Sequence, residues 1–329
     1  MSRGRDLYPL ALVGAVGVAS VLTARGVLAD ALPMVTVAAV ALVLFLHGLR
    51  LSRTAMIAGA TNWRLHLVVM LATFAAFPLL GLTLHALLPH ALPPALWTGV
   101  LFLCLVPSTV QSSIAFTAIA RGNVPAAICA ATLSNLAGVV LTPLLAALLL
   151  HLAGAGVGLN KALAIGSQVL LPALAGQAAR PWLAAWAKRN AEMLRLADRG
   201  SILLIVYAAF SAAVVEGLWH SVSLPTLARL AAIDLLVLGI ALWVTARIGQ
   251  LRMFTREDRI AIVFCGSKKS LATGAAIAGA LFGPALAGAV ILPLMLYHQV
   301  QLMACAALAR RWASDPEPGI ALPVGARAA

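Results

Sequence analysis

Gly266-Ser267-Lys268-Lys269-Ser270 sets two ammonium groups side by side within a run, Ile260 to Leu286, that is otherwise apolar and long enough to cross a bilayer. A cation at the centre of a membrane helix costs roughly 2.5–3.5 kcal/mol on insertion scales. A chain that keeps two such groups needs something for them to meet: a water-filled cavity, an anion, a carboxylate or backbone carbonyls. The chemistry on offer is electrostatic, holding an anion or passing a proton along a solute path. Neighbours on a helix point about 100° apart. One lysine is therefore expected to enter the site while the other snorkels or pairs. The plainer alternative is a structural ion pair inside the bundle.

A second polar stretch, Pro107-Ser108-Thr109-Val110-Gln111-Ser112-Ser113, interrupts another apolar run. Pro107 lacks an N–H and obstructs the preceding turn, and Gly266 offers a similar opening in the lysine-bearing run. Irregular backbone at membrane depth survives only where it lines a cavity or is buried in protein. A broken helix presents carbonyls at one half-helix end and N–H groups at the other, which suits cations and anions together. The opposing reading keeps both helices continuous, with Ser and Thr bonded to their own backbone.

These residues need a membrane scaffold. The 329 residues are 62% hydrophobic and 10% charged, too apolar for a soluble domain. Spans are expected near 8–24, 33–51, 65–88, 95–120, 124–152, 160–180, 200–219, 229–249, 258–282 and 285–309. Their length and Leu/Ala/Val content suit helices and not the ten-residue alternation of a β-barrel. Basic residues crowd one set of alternate loops; the other set holds Arg25, Lys161 and Arg229. That asymmetry places both termini in the cytoplasm. Tyr8, Trp63, Trp97, Trp182 and Trp219 fall near the expected interfaces. The formal charge of +13 lies in short loops and forms no stripe for nucleic acid. Cys104, Cys129, Cys265 and Cys305 form no CxxC pair, so no metal site or disulfide framework is expected. The Arg3/Arg5 start imitates a signal peptide, but its apolar run is longer and reads as the first helix.

Five spans precede about residue 155 and five follow, so the halves (1–155 and 156–312) are expected to insert in opposite directions, the inverted-repeat design of many carriers. Gln111-Ser112-Ser113-Ile114-Ala115 in the fourth span is echoed by Lys268-Lys269-Ser270-Leu271-Ala272 in the ninth, and Pro143 in the fifth by Pro293 in the tenth. Residues 313–329, with Pro316, Pro318 and Pro323, read as a disordered cytoplasmic tail.

The segments VQSSIAFTAIARGN (Val110 to Asn123), LSNLAGVVLTPLL (Leu133 to Leu145), FCGSKKSLATG (Phe264 to Gly274) and LPLMLYHQVQLMACAALARRW (Leu292 to Trp312) carry a resemblance. The chain resembles the bile acid:sodium symporter superfamily, in particular the divergent bacterial branch that also includes sodium/bile acid cotransporter 7. The resemblance implies an all-α fold of ten membrane helices in two inverted five-helix repeats. It implies a panel of helices 1, 2, 6 and 7, and a core of helices 3–5 and 8–10 in which broken helices 4 and 9 cross. It implies sodium beside the crossing and an organic anion in the cleft. By position, Gln111, Ser112 and Ser113 match the helix-4 break, and Ser134 and Asn135 match the fifth-helix sodium-ligand region. Sodium-coupled members carry an acidic residue followed by Gln-Asn in helix 9. Here Val263 to Ser270 holds no acid and has Lys268 and Lys269 instead. That departure opposes sodium coupling. Because leaving water favours the neutral form of a charged group, a proton is an alternative coupling ion beside sodium.

The expected binding set is thus Gln111, Ser112, Ser113, Ser134, Asn135, Ser267, Lys268, Lys269 and Ser270, with His298, Gln299 and Asp234 around it. Tyr297-His298-Gln299 and Gln301 give the tenth helix a polar face. Asp234 is either a lysine partner or proton relay, or an interfacial acid. His47 and His298 read first as helix–helix hydrogen bonders. The expected function is secondary transport of a small organic anion across the bacterial inner membrane, driven by sodium or protons, with no cofactor. The alternative is a non-transport regulator of ion homeostasis. A Ser–Lys intramembrane enzyme ranks last, because nothing supplies an oxyanion site. No Walker A loop is present for ATP-driven transport. Oligomeric state is open.

Overall fold

The computed structural model of the protein describes residues 8–50, 62–150, 159–282 and 284–314. Among these residues all regular structure is helical. The elements are α1 (Tyr8–Val21), α2 (Val27–Arg50), α3 (Trp63–Leu87), α4a (Pro94–Leu105), α4b (Val110–Ile119), α5 (Val124–Leu150), α6 (Leu159–Arg189), α7 (Ala191–Val215), α8 (Leu224–Ile248), α9a (Arg256–Gly266), α9b (Leu271–Leu281) and α10 (Pro284–Ser314). Among the described residues seven helical stretches are long and apolar enough to cross a membrane, or eight when the bent α4a–α4b pair is one span. The short α1 and the more polar α6 complete the ten segments expected from hydropathy. The chain is a polytopic, all-α membrane protein.

Several boundaries differ from the expected spans. The charged stretch through Lys188, Arg189, Arg195 and Arg199 is helical, because α6 and α7 extend past the apolar run and meet at Asn190. Ala, Glu, Leu, Lys and Arg are good helix formers once outside lipid, and Glu192 pairs with Arg195 on the same face. The proposed tail is helical as far as Ser314, and its remainder lies outside the described residues. Trp97 is no belt residue. Only 2% exposed, it packs edge-on against His85 within the core. Trp63 and Trp182 are exposed as expected.

Helix α2 lies on α6 with the two backbones in contact: a side chain at Gly48 would strike the carbonyl of Ala173, and one at Gly176 the carbonyl of Phe45. Small residues at such crossings let membrane helices approach closely. Helices α2 and α6 pack on each other, and α1, α2 and α6 each pack on α7, which continues onto α10 and α9b. Helices α4b, α5, α9a and α3 gather round the breaks, with Leu65, Val69, Ala126, Ala130, Ala261 and Ile262 filling the space between them.

Two devices set the positions of the breaks. At one end of the broken pair, Arg121 takes a left-handed conformation (φ 59°) and the chain turns into α5. Asn123 caps α5 by accepting from the Ala126 N–H, and its Nδ2 donates to Asp258 Oδ1 at 2.8 Å. Asp258 also closes the Thr255 capping box of α9a, so the start of α9a is tied to the start of α5. At the other end, α3 widens into a π-helical turn over Ala72–Ala76. The Phe77 N–H there bonds Ala72 O, and Pro78 has no N–H to offer. The Thr73 carbonyl is left free for another partner.

Candidate functional site

Both expected breaks are present, and they meet. Between α4a and α4b the backbone runs extended at Val106 and Thr109, and the half-helices bend by 60°. Residues 267–270 leave the helical path between α9a and α9b. The two irregular segments hydrogen-bond directly: the Ser270 N–H donates to Pro107 O at 2.8 Å. Gly138 of α5 lies against the Pro107 ring so closely that a Cβ there would come within 2.6 Å of it. Glycine at 138 is what lets the break sit on α5.

The broken ends are satisfied by hydroxyls and one amide. Ser108 Oγ donates to Cys265 O at 2.6 Å and Ser113 Oγ to Phe264 O at 2.8 Å, so α4 closes carbonyls at the end of α9a. In return Thr142 of α5 donates to Leu105 O at the end of α4a. Ser134 Oγ accepts the Ser108 N–H. Asn135 donates to Ser108 O at 3.1 Å and accepts from Thr273 Oγ1 at 2.7 Å, joining both breaks to α5. Ser270 caps α9b by accepting from the Thr273 N–H. Ser267 turns back onto Val263 O, and its own carbonyl accepts Tyr297 Oη.

The lysines diverge, though on non-helical backbone, and neither snorkels: both are 0% exposed. Lys269 Nζ donates to three backbone carbonyls, Thr73 at 3.0 Å, Cys104 at 3.0 Å and Val106 at 2.9 Å, and sits 3.9 Å above the centre of the Phe77 ring. Each acceptor is free for a local reason. Thr73 O is released by the π-turn. Cys104 O loses its usual i+4 donor because the Ser108 N–H goes to Ser134. Val106 O lies past the end of α4a. The Lys269 main chain is held as well. Its N–H donates to Gln301 Oε1 at 2.8 Å, and its carbonyl accepts from Gln301 Nε2 at 2.8 Å and from Thr109 Oγ1 at 2.7 Å.

Lys268 is the opposite case. Its Nζ has no hydrogen-bond partner among the described residues and lies 4.3 Å over the Phe116 ring. Cys265, Cys305 and His298 stand within electrostatic reach. Among the described residues His298 bonds within its own helix and not, as expected, between helices. Its Nδ1 accepts from Gln301 Nε2 on the same helix at 2.8 Å, which puts the ring proton on Nε2. His47 likewise bonds within its own helix, to Val43 O.

Of the remaining expected residues, Gln111 is exposed and takes no part in these bonds. The Ser112 hydroxyl is enclosed and has no partner among the described residues. Gln299 is half-buried beside His298. Asp234 is fully buried in α8 with both oxygens unpartnered among the described residues, and it bonds to neither lysine. Sequence reasoning named Ser108 in the polar stretch but left it out of the binding set, passed over Thr273, and treated Gln301 only as part of a polar face. Ser-x-x-Thr from Ser270 to Thr273 has the spacing of a helix cap and could have flagged Thr273.

Comparison with known proteins places this architecture. The profile of the SBF-like CPA transporter family matches residues 6–314. An uncharacterized protein of Pseudomonas aeruginosa is 51% identical over 317 residues, 95% of each chain. The Escherichia coli K12 protein named "Putative symporter YfeH" is 45% identical over 312 residues, 95% of this chain and 94% of the relative. Sodium/bile acid cotransporter 7 of Mus musculus is 25% identical over 330 residues, 97% of this chain and 96% of the relative.

Proposed function

The chain belongs to the SBF-like CPA transporter family, and from that premise we propose that it moves a small organic anion across the bacterial inner membrane by alternating access, with both termini cytoplasmic and a proton as the coupling ion. The observation that carries this reading is Lys268: an ammonium sealed from solvent at the meeting of two interrupted spans, without a hydrogen bond to compensate it. Buried charges are ordinarily paired, so an unpaired one at a helix crossing marks a place for an anion that comes and goes. The symporter and cotransporter names of the relatives support the same class.

Coupling follows from a single group. Protonated Lys268 attracts an anion, and a bound anion lowers the cost of keeping that proton in a dry site. Each therefore raises the affinity for the other, and this reciprocity is required by linkage. Proton and anion cross together as a nearly neutral pair. The ring of Phe116 holds the empty ammonium weakly, by about 2 kcal/mol when desolvated, which is less than an ion pair offers. Lys268 is enclosed here, so opening to either side requires the elements around the breaks to move against their neighbours, as in carriers built on broken helices. Loading of the panel–core cleft belongs to this reading.

The test is flux in proteoliposomes with sodium and proton gradients imposed separately. An inward-acidic to outward-alkaline gradient and its reverse should drive anion movement in opposite directions, and a sodium gradient at fixed pH should drive none. Lys268→Met should abolish flux while the protein stays folded. Full flux in that variant, or drive by sodium alone, refutes the assignment.

A further inference from the structure

We infer that Lys269 is a tethered occupant of a built monovalent-cation site, so that removing its side chain turns the protein into a binder of free ammonium-sized cations. The inference deepens the carrier reading by taking this cage out of the ion-coupling cycle, but its test is read from stability and not from flux, so either can fail alone.

The cage has the composition of a cation site without Lys269 being counted. Three carbonyl oxygens from two separate elements, Thr73 of α3 and Cys104 and Val106 at the end of α4a, converge on one point at 2.9–3.0 Å. The end of a helix carries a partial negative charge, which adds to their pull. The Phe77 ring faces the same point from 3.9 Å with its negative face. Among the described residues no carboxylate bonds to the point. A neutral oxygen set with one aromatic face matches a singly charged cation. An ammonium ion fits it best, since three N–H groups meet three acceptors.

The site is built, and not formed by the lysine that fills it. Thr73 O is free because of the π-turn and Pro78, and Cys104 O because Ser108 N–H is committed to Ser134. Those causes persist when the side chain is shortened. Lys269 itself is pinned through its main chain by Gln301 and Thr109, so its backbone stays in place without the amine. A narrow apolar cleft lined by Ala72, Phe77, Thr245 and Gly266 borders the cage at Phe77.

A cation fixed to the chain has two consequences. It satisfies the free end of α4a in every conformation, and it leaves with no substrate. The protonated amine then supplies positive charge at the crossing without an ion from either compartment.

The experiment compares Lys269→Ala with the native protein, each purified in parallel in choline, sodium, potassium, ammonium and methylammonium chloride at one ionic strength, with melting read by differential scanning fluorimetry. The Lys269→Ala protein should be recovered folded, or melt higher, in ammonium or methylammonium than in choline, saturably with concentration. The native protein should melt alike in all five salts. Lys269→Met, whose neutral tail fills the cage, should gain nothing from ammonium. A Lys269→Ala protein that responds equally to choline and ammonium, or that is lost in both, overturns the proposal. So does a native protein stabilised selectively by ammonium, because its site would then be vacant.

Discussion

Lys268→Met and Lys269→Met should change stability very differently, although the residues adjoin, carry the same group and are equally buried. Methionine keeps the length and apolar stem of lysine and removes only the charge and its donors. Taking an ammonium out of water costs several kcal/mol. Compared at a pH low enough to keep both amines protonated, both variants recover that cost to a similar extent, because both amines are 0% exposed. Both lose one ring contact of similar geometry, 4.3 Å at Phe116 and 3.9 Å at Phe77. These contributions cancel in the difference. What does not cancel is three hydrogen bonds from a charged donor, made by Lys269 and absent at Lys268. At about 1.5–3 kcal/mol each, Lys269→Met should be less stable than Lys268→Met by roughly 4–9 kcal/mol. Lys268→Met itself should be neutral or stabilising, since it relieves an uncompensated buried charge.

Thermal unfolding of the two variants and the native protein in one detergent measures the order directly. The expected order of melting temperature is Lys268→Met at or above native, then Lys269→Met well below. Equal destabilisation of the two, or a Lys268→Met protein that melts far below native, refutes the reasoning, because Lys268 would then be making bonds that the geometry does not contain.

Gly138→Ala should lower flux without touching any polar group, because its new methyl meets the Pro107 ring at 2.6 Å and must push the α4 break off α5; overpacking of this kind costs about 1–3 kcal/mol, and flux together with melting temperature reads it. Cys265, fully buried next to Lys268, should resist a membrane-permeant maleimide at rest and react faster when a proton gradient and substrate drive turnover, as mass spectrometry of the labelled peptide would show. A rate unchanged by turnover would mean that the crossing does not open to either side.

The breaks were legible because their causes are local. Pro107 cannot donate, and Gly266-Ser267-Lys268-Lys269-Ser270 cannot remain an ordinary lipid-facing turn. The division of labour between the lysines was not legible. Every acceptor of Lys269 is a backbone carbonyl, and a carbonyl has no letter in the sequence. Thr73 is 196 positions away, and its availability depends on a π-turn that no polar residue announces. A search for side-chain partners of a buried cation looks for Asp or Glu, and so it drew attention to Asp234, which bonds to neither amine. Trp97 was misplaced for a related reason: an aromatic near a span end fits an interface and a core equally well until packing decides. The tenth helix was read correctly as polar on one face, yet its histidine serves Gln301, and it is Gln301 that holds the Lys269 main chain.

The network around the breaks also constrains how such a site could move. The α9a carbonyls of Phe264 and Cys265 are satisfied by hydroxyls of α4, the α4 break by Ser134 and Asn135 of α5, and the start of α9b by Asn135 through Thr273. Separating α4, α5 and α9 from one another would orphan all of these groups in a dry interior, at about 1–3 kcal/mol for each donor or acceptor. Sliding α3, α4, α5, α9 and α10 together against α2, α6 and α7 would break none of them and would keep Thr73 and Gln301 with the lysines. The contacts across that second boundary are apolar or glycine-lined, and dispersion contacts re-form after a small shift where directional bonds do not. The least costly motion therefore carries both lysines and their cage as one body, changing which side Lys268 can open to while leaving the three bonds of Lys269 intact. On that argument the crossing is the rigid part of the protein, and its neighbours are what yield.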